Sequence, residues 1–198
     1  MRTPIFAIGM AAAILLSAGP AARAAPVTYT LDPNHTDIVA TWDHFGFSRP
    51  SAMFDHVTGT LTYDPDKPGA SSVEVSIPVS SVHTSSDKLD EHLQSSDFFD
   101  VAKWPNIHFK STHVEAGAAP DALKVTGDLT VHGVTRPITL DVHVNKVGVQ
   151  PMAKARAAAF NATAHLNRSD FGVKMYVPMV SDRIDLSMTT EAVESSSD

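Results

Sequence analysis

The chain has 198 residues, of which 43% are hydrophobic and 19% charged, a composition typical of a globular domain with one sizeable core. Its formal net charge of −7 at pH 7 disfavours nucleic acid and anionic membrane surfaces as partners. Because it contains no cysteine, the sequence excludes disulfide bonds and thiol chemistry.

The first residues of the chain have the pattern of a secretory signal peptide. Arg2 supplies a positive charge, an apolar run follows at residues 5–18, and a small-x-small cleavage site ends at Ala24. We predict a signal peptide over residues 1–24 and a single domain over residues 25–198, located in the periplasm or outside the cell. A retained membrane anchor is the alternative, which the glycine and proline that interrupt the apolar run disfavour.

Most of the remaining chain alternates apolar and polar residues with a period of two, which is typical of β-strands with one buried face. Three stretches are predicted as connections: residues 64–69, which contain two prolines and a glycine, residues 132–137, and residues 147–155. Pro78 has no amide hydrogen and indicates an edge position or a bulge in its strand. The alternating apolar positions are Ile38, Ala40, Trp42, Val57, Leu61, Tyr63, Val73, Val75, Ile77, Val125, Leu129, Val131, Ile138, Leu140, Val142, Ala158, Phe160, Ala162, Leu166, Ile184, Leu186 and Met188.

Strand-like alternation stops between residues 87 and 109. Leu89 and Leu93 lie four residues apart, on one face of a short helix. Asp87 and Asp90 place negative charge in its first turn, where the helix dipole stabilises it. We predict that this segment covers one end of a β-barrel, and a helix that only plugs the core fits the periodicity equally well.

The pattern as a whole predicts an all-β fold with about eight strands and one short helix. Alternating strands are typical of antiparallel sheet with one apolar face. About eight such strands can close into a barrel whose interior holds packed side chains or one small ligand. A two-layer sandwich is the alternative, which periodicity does not separate from a barrel.

Sequence signatures of nucleophile elbows, phosphate-binding loops and dinucleotide-binding folds are absent from the chain. Its ten histidines are scattered and match no metal-ligand spacing, so we predict no metal site. Asp97 and Asp100 are candidates for the paired acids of a hydrolase or lyase, and the alternative is that they cap or solvate the turn after the helix. We predict no catalytic residues and no cofactor.

Arg168 follows an apolar strand and precedes Asp170 and Phe171. One interpretation is a local ion pair with Asp170, which contributes under about 1 kcal/mol when it is exposed. The other is a cation at the mouth of the barrel that contacts the polar head of a ligand.

Six blocks of the sequence, in order, have the form of family motifs. They are residues 32–36 (DPNHT) with Phe45-Gly46, Phe54 with residues 59–61 (GTL), residues 84–99 with their Asp97-Phe98-Phe99, residues 105–111 (PNIHFKS), residues 127–137 (GDLTVHGVTRP), and residues 168–172 (RSDFG). Together these blocks resemble the YceI-like family of exported lipid- or polyisoprenoid-binding proteins. The resemblance covers about residues 29–192, with departures at Thr36, where serine is usual, at Ala52, where glycine is common, and at Val57, where an aromatic is usual.

The resemblance implies a lipocalin-like antiparallel barrel with an elongated apolar cavity, often in a homodimer. It implies non-catalytic binding of a long-chain isoprenoid, such as a polyprenyl lipid or a quinone, or of a related amphiphile, with transient contact to a membrane or a membrane protein. A hydrolase or lyase that uses Asp97 and Asp100, or an interaction module with a solid core, remains the alternative.

In the lipid-binding hypothesis, aromatic and apolar side chains line or close the cavity. His35 and Arg168 contact the polar head, the helical segment governs access, and the loop at residues 64–69 is a second candidate gate. The residues expected to line or close the cavity are Trp42, Phe45, Phe47, Leu93, Phe98, Phe99, Phe109, Phe160 and Phe171.

Overall fold

The computed structural model describes residues 26–195, so the predicted signal peptide lies outside the described residues. No helix in this part of the chain has the length and hydrophobicity needed to cross a membrane. The elements in chain order are β1 (Val27–Thr41), β2 (Ser51–Phe54), β3 (Thr58–Tyr63), β4 (Ser72–Pro78), α1 (Asp87–Gln94), β5 (Asn106–Ala116), β6 (Ala122–Val131), β7 (Val134–Gln150), β8 (Ala155–Asn167) and β9 (Arg183–Glu194).

The strands form one antiparallel sheet that closes on itself. Each strand from β3 to β9 pairs with the next, and β9 returns to pair with β1. The short strands β2 and β3 pair with opposite halves of β1, as in Ala40 opposite Ala52 and Tyr29 opposite Leu61, and together occupy one position in the wall. The result is the predicted eight-stranded barrel with one helix, and the sandwich alternative is wrong because the first and last strands are hydrogen-bonded to each other.

The hairpin between β6 and β7 turns in only two residues, His132 and Gly133. Both have positive φ angles, 50° and 72°, as a type I′ turn requires. The predicted connection over residues 132–137 is therefore too long, because β7 already begins at Val134. The same holds for residues 147–155, since the ladder between β7 and β8 continues until Gln150 pairs with Ala155.

Pro78 is neither on an edge strand nor in a bulge. It is the last residue of β4, which lies between β3 and β5, and it pairs with Asn106. The pairing of β4 with β3 has already ended at Ser76, so the missing amide hydrogen of Pro78 falls at the end of the ladder. The chain then continues through a short 3-10 turn, where the amide of Val79 donates to the carbonyl of Pro105 over 2.9 Å.

Helix α1 crosses the end of the barrel at which β4 ends and β5 begins. The Asp90 carboxylate fastens its start, because it accepts hydrogen bonds from the amide and the hydroxyl of Thr84, both at 2.7 Å. Leu93 is buried and Leu89 is half-buried on the inner face of the helix, as their spacing predicts. The backbone amide of Phe99 donates a hydrogen bond to the Leu93 carbonyl, and the Phe99 ring packs edge-to-face on the Phe54 ring with centroids 5.9 Å apart. The segment therefore covers this end of the barrel.

Candidate ligand-binding cavity

The barrel encloses a cavity of about 660 Å³, within the range of small-molecule sites in proteins. Its wall is almost entirely apolar and includes inward-facing side chains from the strands on all sides, together with Leu89 and Leu93 of α1. The alternative of an interaction module with a solid core is therefore wrong. The cavity arises because the inward side chains do not meet across the barrel.

The two sides of the wall contribute unequally to the cavity. On the β5–β6 side, Phe109, Val125 and Leu129 are fully buried among their neighbours. On the β7 side, Leu140 and Val142 point inward at alternate positions yet remain only half-buried, because they border empty space. Apolar surface without a packing partner is what an apolar ligand would cover.

Small residues on β8 make the space. Ala162 lies in the cavity wall, between Phe160 and Leu166 along the same face of the strand, and pairs with Met188 of β9. Ala40 of β1 also lines the cavity, opposite Ala52 of β2. An alanine fills far less volume than the leucine or isoleucine that a solid barrel core would place there.

The end of the barrel away from α1 is filled by aromatic rings between β1, β3 and β8. The Tyr63 and Phe160 rings pack edge-to-face with centroids 5.4 Å apart, and Tyr29 is buried beside them. Burial raises the pKa of both tyrosine hydroxyls above the usual value. Phe160 also lines the cavity, so this aromatic cluster, here named the packed end, forms part of its floor.

The opposite end forms the mouth of the cavity. Helix α1 lies on one side and the segment between β8 and β9 lies on the other, where Tyr176 and Val180 join the lining. The rings of His92 and Tyr176 pack edge-to-face with centroids 6.4 Å apart. His44, Ser48 and His92 contribute polar atoms to this opening.

Arg168 lies at the mouth, lines the cavity and is only 8% exposed. Its guanidinium donates to three backbone carbonyls, those of Ser181 at 2.9 Å, Val180 at 3.1 Å and Val173 at 3.2 Å. Burial lowers the pKa of the Arg168 guanidinium, and the Asp182 carboxylate nearby opposes that effect. Arg168 thus holds the segment between β8 and β9 against the barrel.

The local ion pair of Arg168 with Asp170 is absent from the described residues, so that interpretation is wrong. The charge that faces Arg168 is Asp182, whose carboxylate instead accepts the amide of Ser169 at 2.8 Å and its hydroxyl at 2.6 Å. Asp170 is nearer to Arg168 in the sequence, but the segment between β8 and β9 turns back and brings Asp182 close to residues 168 and 169.

Most of the side chains predicted to line the cavity do line it. They come from four parts of the fold: the residue after β1, the segment from α1 to residue 99, the inner faces of β5 and β8, and the 3-10 turn after β8. These residues are Trp42, Leu93, Phe98, Phe99, Phe109, Phe160 and Phe171. Arg168, predicted to contact the head group, also lines the cavity, and that contact stays a prediction.

Phe45 and Phe47 do not line the cavity, and a role in closing it over a ligand stays a prediction. Both lie in the tight turn between His44 and Ser48, beyond the end of β1, where Phe45 and Gly46 have φ angles of 58° and 74°. The turn directs the side chains outward, so Phe45 is 46% exposed and Phe47 is 93% exposed.

His35 also lies outside the cavity. It occupies a bulge in β1, between the pairs that Leu31 and Thr36 form with β9, and its side chain is 58% exposed. Asp32 folds this bulge on itself, because its carboxylate accepts the Asn34 amide at 2.9 Å and contacts Nδ1 of His35 at 2.6 Å. That contact raises the pKa of His35 and lowers the pKa of Asp32.

Three further groups complete the placement of the predicted residues. The loop at residues 64–69 is absent from the cavity lining and forms an ordered turn, in which the Asp64 carboxylate accepts the amides of Asp66 and Lys67. Asp97 and Asp100 also lie outside the cavity lining, and Asp97 approaches Nε2 of His92 only to 3.7 Å. Among residues 26–195, no group of three or more potential metal ligands is found.

Sequence reasoning missed Val173, Tyr176 and Val180 as parts of the mouth. These residues lie between β8 and β9 in a segment with neither strand nor helix periodicity, so no pattern indicated which side chains face inward. Their position depends on the three carbonyl contacts of Arg168, which only the folded chain brings together.

The chain is similar in sequence to bacterial proteins. A UPF0312 protein of Pseudomonas syringae pv. tomato is 39% identical over 180 residues, which is 91% of this chain and 92% of that protein. Protein YceI of Escherichia coli O6:H1 is 35% identical over 185 residues, covering 92% of this chain and 94% of that protein.

Among solved structures, Burkholderia cenocepacia BcnA superposes with a TM-score of 0.74 at 22% identity, over 82% of this chain and 99% of that chain. A polyisoprenoid binding domain from Saccharophagus degradans, implicated in plant cell wall breakdown, superposes with a TM-score of 0.66 at 14% identity, over 85% and 99%. The sequence profile of the YceI-like domain matches residues 29–192. The chain therefore belongs to the YceI-like family.

Proposed function

We propose that this protein binds a long-chain isoprenoid, such as a polyprenyl lipid or a quinone, or a related amphiphile, inside the barrel and without catalysis. The observation that carries the proposal is the cavity of about 660 Å³ with its apolar wall. Burial of apolar ligand surface provides about 25 cal/mol per Å² before association costs, so an apolar chain needs neither a covalent bond nor a charged anchor. The likeness in fold to a polyisoprenoid binding domain supports the same ligand class.

The cavity volume limits how much of a chain it can hold. A volume of about 660 Å³ is that of a site for one small molecule or for part of one long chain. A longer chain would extend through the mouth. The head group is proposed to stay at the mouth, where the polar atoms of His44, Ser48 and His92 lie, and not beside Ser71 and Ser72, the polar residues that line the far end.

The proposed setting of this binding protein follows from the same reasoning. The signal peptide proposed for residues 1–24 would place the domain in the periplasm or outside the cell. An isoprenoid ligand is supplied by a membrane, so transient contact with a membrane or a membrane protein belongs to the proposal. A homodimer is proposed as the assembled state, and sedimentation of the purified domain tests it.

The test is to purify the protein from cells, extract it with organic solvent, and identify co-purifying lipids by mass spectrometry. Titration with a fluorescent isoprenoid then measures binding directly. Ala162→Phe places a ring in the cavity and should abolish binding, whereas Thr163→Phe, on the outer face of the same strand, should leave it unchanged. A folded wild-type protein that yields an empty extract and binds no added isoprenoid would refute the proposal.

A further inference from the structure

Four large apolar side chains surround the mouth of the cavity and point into solvent. Phe45 and Phe47 belong to the turn after β1, while Tyr176, which is 49% exposed, and Met179, which is 58% exposed, belong to the segment between β8 and β9. These four residues are named the apolar rim. The largest exposed apolar patch on a soluble protein is often a functional surface.

The apolar rim is a fixed structure and not a pair of loose loops. The amide of Phe45 donates to the carbonyl of Met179 over 3.1 Å, and His44 pairs with Val180 in an isolated bridge. Asp43 supports the turn from inside, because its carboxylate accepts the amide of Gly46 at 2.7 Å. The exposure of the rim is therefore built into the hydrogen bonding of the two loops.

The same loops form the mouth. Tyr176 contributes to the rim and to the cavity wall, and His44, Ser48 and Val180, which line the cavity, alternate along the chain with rim residues. Apolar surface therefore continues from the interior of the barrel to its outside. A molecule that leaves the cavity here would therefore pass directly to whatever surface the rim contacts.

The charge of the two loops that carry the rim suits an uncharged surface. The whole chain has a formal charge of −7, yet the acidic and basic groups of these loops balance, with Asp43, Asp170 and Asp182 against Arg49, Arg168 and Lys174. A strongly anionic or cationic partner would gain little from this balance.

The size and shape of the rim favour a bilayer over a second copy of the chain. Four side chains present on the order of a few hundred Å², whereas a stable dimer buries about 800 Å² on each partner. Phe47 projects from the tip of a turn, and a projecting side chain enters a deformable apolar layer more readily than it fits a flat protein surface.

We propose that the apolar rim inserts into the interface of a zwitterionic phospholipid bilayer and sets the mouth of the cavity against the lipid. The inference deepens the proposed function, since it names the surface through which a lipid would be exchanged. Vesicle attachment itself depends only on the rim, and it can therefore hold even if the ligand assignment fails.

The experiment measures co-flotation of the purified domain with phosphatidylcholine vesicles. The double variant Phe47→Ser with Met179→Ser should lower the partition coefficient by roughly tenfold or more, because each side chain buries apolar area in the interface. Val149→Ser with Met152→Ser is the matched control, since it removes exposed apolar side chains at the opposite end of the barrel and should change nothing.

The proposal is overturned if the wild type does not float with the vesicles, or if the rim and control variants lose binding equally. It is also overturned if the rim variant converts a dimer to a monomer in sedimentation, because a second copy would then cover the rim. Ala162→Phe separates the two proposals: it should abolish isoprenoid binding and leave vesicle attachment intact. Loss of attachment in Ala162→Phe would make the vesicle interaction a property of the cavity and refute the rim.

Discussion

The two ends of the barrel are both rich in aromatic residues, and they use them in opposite ways. At the packed end, Tyr29, Tyr63 and Phe160 extend from paired strands and bury one another. At the mouth, Phe47 and Tyr176 extend from loops beyond the last strand pairs and stay exposed. Strands that converge across a barrel provide partners for a ring, whereas a loop tip does not, so stability is concentrated at one end and access at the other.

The largest expected effect separates the two ends directly. Phe160→Ala at the packed end should lower the free energy of unfolding by about 3–5 kcal/mol, because it leaves a void beside Tyr63. Phe98→Ala at the mouth should cost about half of that or less, because Phe98 is only half-buried. Urea unfolding of both variants measures the difference, and equal losses would show that the mouth is packed as firmly as the opposite end.

Arg168 is the exception that gives the mouth its structure. Arg168→Met should destabilise the protein by about 2–4 kcal/mol, because three carbonyls at 2.9–3.2 Å lose their donor in a buried site. Arg168→Lys should recover only part of the loss, since one ammonium cannot reproduce the planar guanidinium. Thermal unfolding and hydrogen exchange at residues 173–181 measure this effect. A loss of less than about 1 kcal/mol in the free energy of unfolding would show that Arg168 does not hold the segment between β8 and β9 in place.

Two glycines near opposite ends of β7 provide a smaller and matched comparison. Gly133→Ala should cost about 2 kcal/mol, because Gly133 has a φ of 72° and an added Cβ would lie 2.4 Å from the Trp104 ring. Gly148→Ala should stay within about 0.5 kcal/mol, since no atom lies closer than 4.0 Å to its Cβ position. Chemical denaturation of the two variants measures both losses. The prediction is wrong if the two substitutions lower the denaturation midpoint by the same amount.

The smallest effect concerns the bulge of β1, between the half of that strand that pairs with β3 and the half that pairs with β2. Contact with His35 lowers the pKa of Asp32 from 3.8. The contribution of the ionised Asp32 to the stability of the fold is therefore complete above the ordinary carboxyl pKa and is lost as the pH falls through the lowered pKa. The pKa of His35 is raised from 6.5, so its contribution is complete below 6.5 and is lost as the pH rises through the raised value.

Asp32→Asn should therefore lower the midpoint temperature of thermal unfolding slightly at about pH 5.5, and by a smaller amount at about pH 9. Midpoints measured at both values test this, with wild type as the reference. A difference that is independent of pH would show that the bulge depends on the Asn34 bonds alone and not on charge.

Local sequence patterns predict the strands, their inward faces and the short helix, although they misplace both ends of β7. Alternation at Ile138, Leu140 and Val142 specifies which side of β7 is apolar, and the four-residue spacing of Leu89 and Leu93 specifies α1, because both signals are local. The six blocks of resemblance were sufficient to predict the family.

Closure of the sheet and the hollow interior depend on contacts between parts of the chain that are far apart in the sequence. Closure depends on pairing between β1 and β9, which lie at opposite ends of the chain, and the hollow depends on the balance between the width of the barrel and side chains such as Ala162. The outward direction of Phe47 and the three carbonyls on Arg168 likewise follow from contacts between distant loops. Periodicity reports which face of a strand is apolar, but it contains no information about what lies across from that face.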